Sequence, residues 1–100
     1  MVAQSRTPAA VVRAAGEIGE DFAAWRKVLG LTAAQVADRA DITRDTLRKI
    51  EKGDPAVSFQ SVLRVARALG IMDTLTDALD PLKTDIGRTR AGLISRKRVG

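Results

Sequence analysis

Apolar residues recur along this chain at spacings of three and four, in short blocks separated by polar turns. Phe22, Trp25 and Leu29 form one block, Val36 and Ala37 a second, and Leu47 and Ile50 a third. Val62, Val65, Ala66 and Leu69 make a fourth, and Met72, Leu75 and Leu79 a fifth. This is the period of amphipathic helices, and it predicts an all-α chain. The turn residues agree. Thr32 with Gln35 has capping-box spacing, Thr43 and Ser58 stand where N-caps are needed, and Gly53-Asp54-Pro55 and Asp80-Pro81 stop the helices before them. Asp41 lies between the second and third blocks and is one of the few non-glycine residues that take up left-handed backbone. Thr7-Pro8 reads as a cap and N1 pair opening an Ala/Val-rich segment, which Gly16 and Gly19 are expected to interrupt before a main first helix from Glu20 to Leu29. Ala10, Val11 and Ala14 give that opening segment an apolar side for packing on the bundle or on a second subunit, and Trp25 is expected in the core.

The stretch from Thr32 to Gly53 carries the most chemistry, because two short helices are joined there by a tight turn and the second is basic. On a helical wheel, Arg44, Arg48, Lys52, Asp45 and Lys49 fall within about 140° of one another, opposite Leu47 and Ile50. Such a helix fits the B-DNA major groove, where arginine reads guanine O6 and N7 as a bidentate pair. A surface helix with solvated charges has the same composition. The steep turn before it, which aims Thr43, Arg44 and Asp45 outward, favours DNA.

From Phe22 to Leu79 the chain resembles the XRE-type regulators, which share the fold of phage repressors and Cro. The resemblance rests on Trp25-Arg26-Lys27-Val28-Leu29-Gly30-Leu31-Thr32, on Ile50-Glu51-Lys52-Gly53, and on Leu63 to Gly70, read as LRVARALG. It implies a five-helix, repressor-like helix-turn-helix bundle at 16–80; the residues outside it read as an N-terminal helical extension at 1–15 and a basic C-terminal tail at 81–100. It also implies sequence-specific binding of double-stranded DNA by a homodimer, with autorepression through a palindromic operator whose half-sites lie ~34 Å apart. By that resemblance Arg44, Asp45 and Lys49 meet bases, Arg48 meets base or phosphate, and Thr32, Thr43, Thr46 and Lys52 meet phosphate. Arg26 and Glu51 match a pair that ties the first helix to the recognition helix, and Met72, Leu75 and Leu79 are candidates for the two-fold interface. Two positions depart from the pattern. Ala33 replaces a usual glutamine contact, and Asp41 replaces the usual glycine of the turn.

Composition narrows the chemistry. The 100 residues include no Cys and no His, which excludes disulfides, thiolate or histidine metal sites, a catalytic triad and a histidine base. Neither a phosphate loop nor a carboxylate cluster is present, so no enzyme activity, metal or cofactor is expected. Nothing approaches the ~20 apolar residues of a membrane span, and a cytoplasmic location follows. Residues 1–80 hold eleven Lys/Arg against eleven Asp/Glu, while 81–100 hold six against one, so the whole net charge of +5 sits in the tail. Lys83, Arg88, Arg90, Arg96, Lys97 and Arg98 alternate there with Ile86, Leu93 and Ile94. Three readings stay open: a salt-sensitive phosphate arm, a solubilising disordered end, and a segment that folds on a partner. Leu79-Asp80-Pro81 with Thr84-Asp85-Ile86-Gly87-Arg88 also resembles the antitoxins encoded beside kinase-type toxins, which makes a toxin protein a second possible partner. A protein-interaction module without strong DNA affinity is the alternative class.

Overall fold

Every regular element among residues 6–94, the residues that the computed structural model describes, is helical. Helix α1 runs Ala9–Val28, α2 Ala33–Ala40, α3 Arg44–Glu51, α4 Phe59–Leu69 and α5 Met72–Leu79. A 3-10 turn, Pro81–Lys83, and a short α6, Asp85–Thr89, follow. The boundaries have local causes. The Thr32 hydroxyl accepts from the Gln35 N–H at 3.1 Å while the Gln35 side chain accepts from the Thr32 N–H at 2.8 Å, closing a capping box. Thr43 and Ser58 accept from Thr46 and Ser61 in the same way, each at 3.0 Å. Asp41 ends α2 at φ 57°, and the Ile42 N–H reaches back to the Ala37 carbonyl at 3.1 Å, so the chain reverses within three residues and α3 starts at once.

The buried faces of α1 to α4 meet in one core. Val36 and Val65 are fully shielded and Leu47 is 1% exposed, with Phe22, Ala37, Ala40, Ile50, Ala66, Leu69 and Ile71 around them. Burying a side chain of the Leu47 kind contributes about 1.5–3 kcal/mol. No polar side chain among the described residues is buried, so the core rests on apolar contact alone. Leu75 packs against its edge.

Four expectations need correcting. Gly16 and Gly19 do not interrupt the first helix: α1 is continuous, and the boundary drawn at residue 15 falls inside it. Gly19 serves close packing instead, together with Gly53. A Cβ on Gly19 would lie 2.5 Å from the Ile50 carbonyl oxygen, and one on Gly53, itself at φ 79°, would lie 2.6 Å from Gly16 Cα. Helix α1 therefore crosses the end of α3 backbone to backbone, which glycine alone permits. The opening cap also differs, because α1 begins after Pro8 and no side chain caps it.

Trp25 is 42% exposed rather than core. The buried stripe of α1 passes through Gly19 and Phe22 to Arg26, and Trp25 lies about 60–120° away from these residues. Phe59, at the first position of α4, is 74% exposed. Part of the tail is folded: Asp80 caps the 3-10 turn through the Leu82 N–H at 2.9 Å, and Thr84 caps α6 through the Gly87 N–H at 3.1 Å. Arg96, Lys97 and Arg98 lie outside the described residues. The radius of gyration, 16.6 Å, exceeds the roughly 13 Å of a compact chain of this length. The first turns of α1 are exposed from Ala9 to Ala14, and α6 packs mainly on the 3-10 turn rather than on the bundle.

The glycine crossing makes a paired prediction. Gly19→Ala should lose about 2 kcal/mol or more of unfolding free energy, because its methyl meets main chain that has no rotamer to yield. A Cβ on Gly16 meets nothing within 4 Å, so Gly16→Ala should instead gain up to ~1 kcal/mol from helix propensity. Urea unfolding followed by circular dichroism separates the two, and equal effects would contradict the close crossing.

Candidate nucleic-acid interface

The α2–turn–α3 unit is held from both sides. On one side, Arg26 of α1 grips Glu51 at the end of α3 with both ends of its guanidinium, Nε to Oε2 at 2.8 Å and Nη2 to Oε1 at 3.1 Å. Its third nitrogen, Nη1, donates to the Leu31 carbonyl at 3.2 Å, so one side chain joins α1, α3 and the entry to α2. Both partners are only 16% exposed, and the hydrogen bond to Glu51 holds the Arg26 pKa above its ordinary value against the opposing effect of burial. On the other side, Arg64 of α4 donates to the Asp41 carbonyl at 3.2 Å and lies 3.4 Å from its carboxylate. Arg64 thereby braces the turn.

Held this way, α3 buries Leu47 and Ile50 and turns Arg44, Asp45, Arg48, Lys49 and Lys52 outward. These five share one face, but they are not equally free. The Asp45 carboxylate receives Arg48 Nη2 at 2.7 Å and Nε at 3.2 Å, and it lies 3.3 Å from Lys49 Nζ. Hydrogen bonding from Arg48, then from Lys49, lowers the Asp45 pKa. Because the folded pKa is depressed, this clamp is in place above the ordinary aspartate range and is released only as pH falls below it. Arg44 and Lys52 make no ion pair among the described residues.

The hydroxyl side chains beside this face keep donors to spare. Thr43 Oγ1 accepts the Thr46 N–H and donates to Thr46 Oγ1 at 2.9 Å, which leaves the Thr46 proton free for an outside acceptor. Thr32, exposed at the start of α2, also keeps its hydroxyl proton while it caps. Gln35 is committed to the capping box. It does not replace the contact absent at Ala33, which lies half-buried against the core.

Sequence reasoning did not include Glu20. With Gly16 and Ala23 of α1 it lines an open cleft of about 750 Å³ whose other wall is Arg44, Arg48 and Lys52 of α3. Only the continuity of α1 carries it to this wall, and no pattern of residues along the chain marks it. Of the candidate interface residues on α5, Leu75 packs on the core, Met72 is half-buried and Leu79 is 82% exposed.

A family model described as a helix-turn-helix domain matches residues 17–79, from the second half of α1 to the last residue of α5. The chain belongs to the helix-turn-helix domain family. An uncharacterised HTH-type transcriptional regulator of Methanothermobacter thermautotrophicus is 47% identical over 45 residues. That match covers 45% of this chain and 65% of the archaeal protein, just under two thirds of its length. No solved structure matches. No helix among the described residues is long and apolar enough to cross a membrane. The helix-turn-helix domain thus ends at α5, and the 3-10 turn and α6 lie beyond it.

The brace makes a second prediction. Glu51→Ala should cost about 2–3 kcal/mol, below the 3–5 of a fully buried pair, by leaving Arg26 desolvated without its partner. In a double-mutant cycle with Arg26→Ala the second loss should be much smaller than the first. Additive losses would show that the two side chains are not coupled.

Proposed function

We propose that this protein is a sequence-specific double-stranded-DNA-binding transcriptional regulator of the XRE type, a homodimeric autorepressor that reads a palindromic operator. The observation that carries this reading is the outward, mostly cationic face of α3, held against α1 by a bidentate ion pair rather than left as a free surface helix. A rigid support is what base reading requires, since a loosely held helix cannot keep several donors in register with base edges. The name of the archaeal relative, an HTH-type transcriptional regulator, supports the same function.

In this reading Arg44, at the first position of α3 and without a competing carboxylate, is the principal base reader. Asp45, Arg48 and Lys49 form a second reading group in which Asp45 accepts from a cytosine N4 amine and orients its two cations. Thr32, Thr43, Thr46 and Lys52 meet phosphate around them. Two copies place α3 in successive major grooves ~34 Å apart.

Binding of the protein to its own upstream DNA, compared with random duplex by mobility shift from about 50 to 300 mM salt, tests the proposal. A preferred complex that survives the upper range is expected. Sequence-blind binding that vanishes would refute it. Within that assay, Arg44→Ala should lose ~1–3 kcal/mol of discrimination at one base pair, whereas Lys52→Ala should weaken all sequences alike. Asp45→Asn should release Arg48 and Lys49, raise affinity for random duplex and shrink the ratio of specific to random binding. An unchanged ratio would remove Asp45 from the reading group.

A further inference from the structure

On the bundle, an apolar groove of about 380 Å³ runs between α1, α4 and the turn after α3. Ile18, Phe22, Val57, Phe59 and Val62 line it, and its one charged lining residue is Asp54. Ile18 and Phe59 are 51% and 74% exposed, so two large side chains stand in water at its mouth. Glu17 and Asp21 flank Ile18 on the exposed side of α1. The groove is therefore apolar with an acidic rim, although the chain as a whole carries +5.

The C-terminal segment has the opposite character. Ile86, Arg90 and Leu93 follow one another at helical spacing and line a common surface. Ile86 is 64% exposed and Leu93 46%, and Arg90 makes no ion pair among the described residues. The main packing partner of α6 is the 3-10 turn Pro81–Lys83, not the α1–α5 bundle. Exposed apolar side chains at this density on a small chain mark a surface with a partner.

We propose that residues 85–94 of one copy lie in the Ile18–Phe59 groove of a second copy, and the reverse, so that two chains exchange their C-terminal segments. Ile86 and Leu93 fill the apolar floor, and Arg90 meets the rim of Asp54, Glu17 and Asp21. Groove and segment are both carried by every chain, so reciprocal exchange closes a two-fold dimer with no surface left over for further growth. The contact would supply the homodimer of the proposed function, but it forms without DNA and is tested without it.

Equilibrium sedimentation of the full chain should give twice 10.7 kDa. Phe59→Glu in the groove and Ile86→Glu in the segment should each give 10.7 kDa, with helical circular dichroism unchanged because both side chains are already exposed. Ile18→Glu is a second groove variant should Phe59→Glu lose helicity. An equimolar mixture of a groove variant with the segment variant should dimerise again, since one intact groove and one intact segment remain between them. A monomeric wild-type chain, variants that stay dimeric, or a mixture that fails to pair would each overturn the exchange. Arg44-dependent preference of the monomeric variants for a half-site reports separately on DNA reading, so the two proposals fail independently.

Discussion

The contact between α1 and the end of α3 governs the geometry of everything functional in this molecule. It is made twice over. Gly19 and Gly53 let the two backbones touch, and Arg26 closes a two-pronged ion pair on Glu51 beside them. The glycine contact fixes separation, because no side chain intervenes that could change rotamer, and the ion pair fixes rotation, because both carboxylate oxygens are engaged. Leu47 and Ile50 then have one way to enter the core, and the opposite face of α3 has one orientation toward solvent. Glu51 is thereby withdrawn from any role in binding, and the cations beside it set the character of the face.

That face is less positive than its composition suggests. Asp45 holds Arg48 and Lys49 in a clamp and leaves Arg44 and Lys52 unpaired. Residues 1–80 carry no net charge, so under the proposed function general attraction to phosphate there would be weak and selectivity would rest on a few placed donors. The clamp works in the same direction. In the proposed reading its cations would reach DNA fully only where a base edge satisfies the carboxylate as well, so random duplex would gain less from them than a matched site.

Much of this was legible in the residues. Thr32, Thr43 and Ser58 each cap where their spacing indicates, and Asp41 takes the left-handed turn for which its type is suited. These are local effects, decided within four residues. The misreadings have a common cause in tertiary contact. Gly16 and Gly19 look like breaks by propensity, yet the packing of α3 against them makes a continuous helix the better arrangement. Trp25 sits at helical spacing from Phe22, but a spacing does not say which side of the stripe the neighbouring helices cover, and here it leaves the indole in solvent. Arg64 and Glu20 acquire partners or neighbours only through the fold, and no pattern along the chain marks them.

The end of the family domain at α5 separates two kinds of surface. Before it lies the bundle that supports α3, and after it lies a short basic and apolar segment whose main packing partner is the 3-10 turn. We propose that the first presents α3 to the major groove of DNA. Methylation of guanine N7 by dimethyl sulfate, on the strongest site selected from random duplex, tests it most directly because N7 lies on the major-groove floor. Guanines protected by the wild-type protein and exposed again with Arg44→Ala are expected. Full reactivity of every guanine N7 in a stable, saturated complex would contradict it.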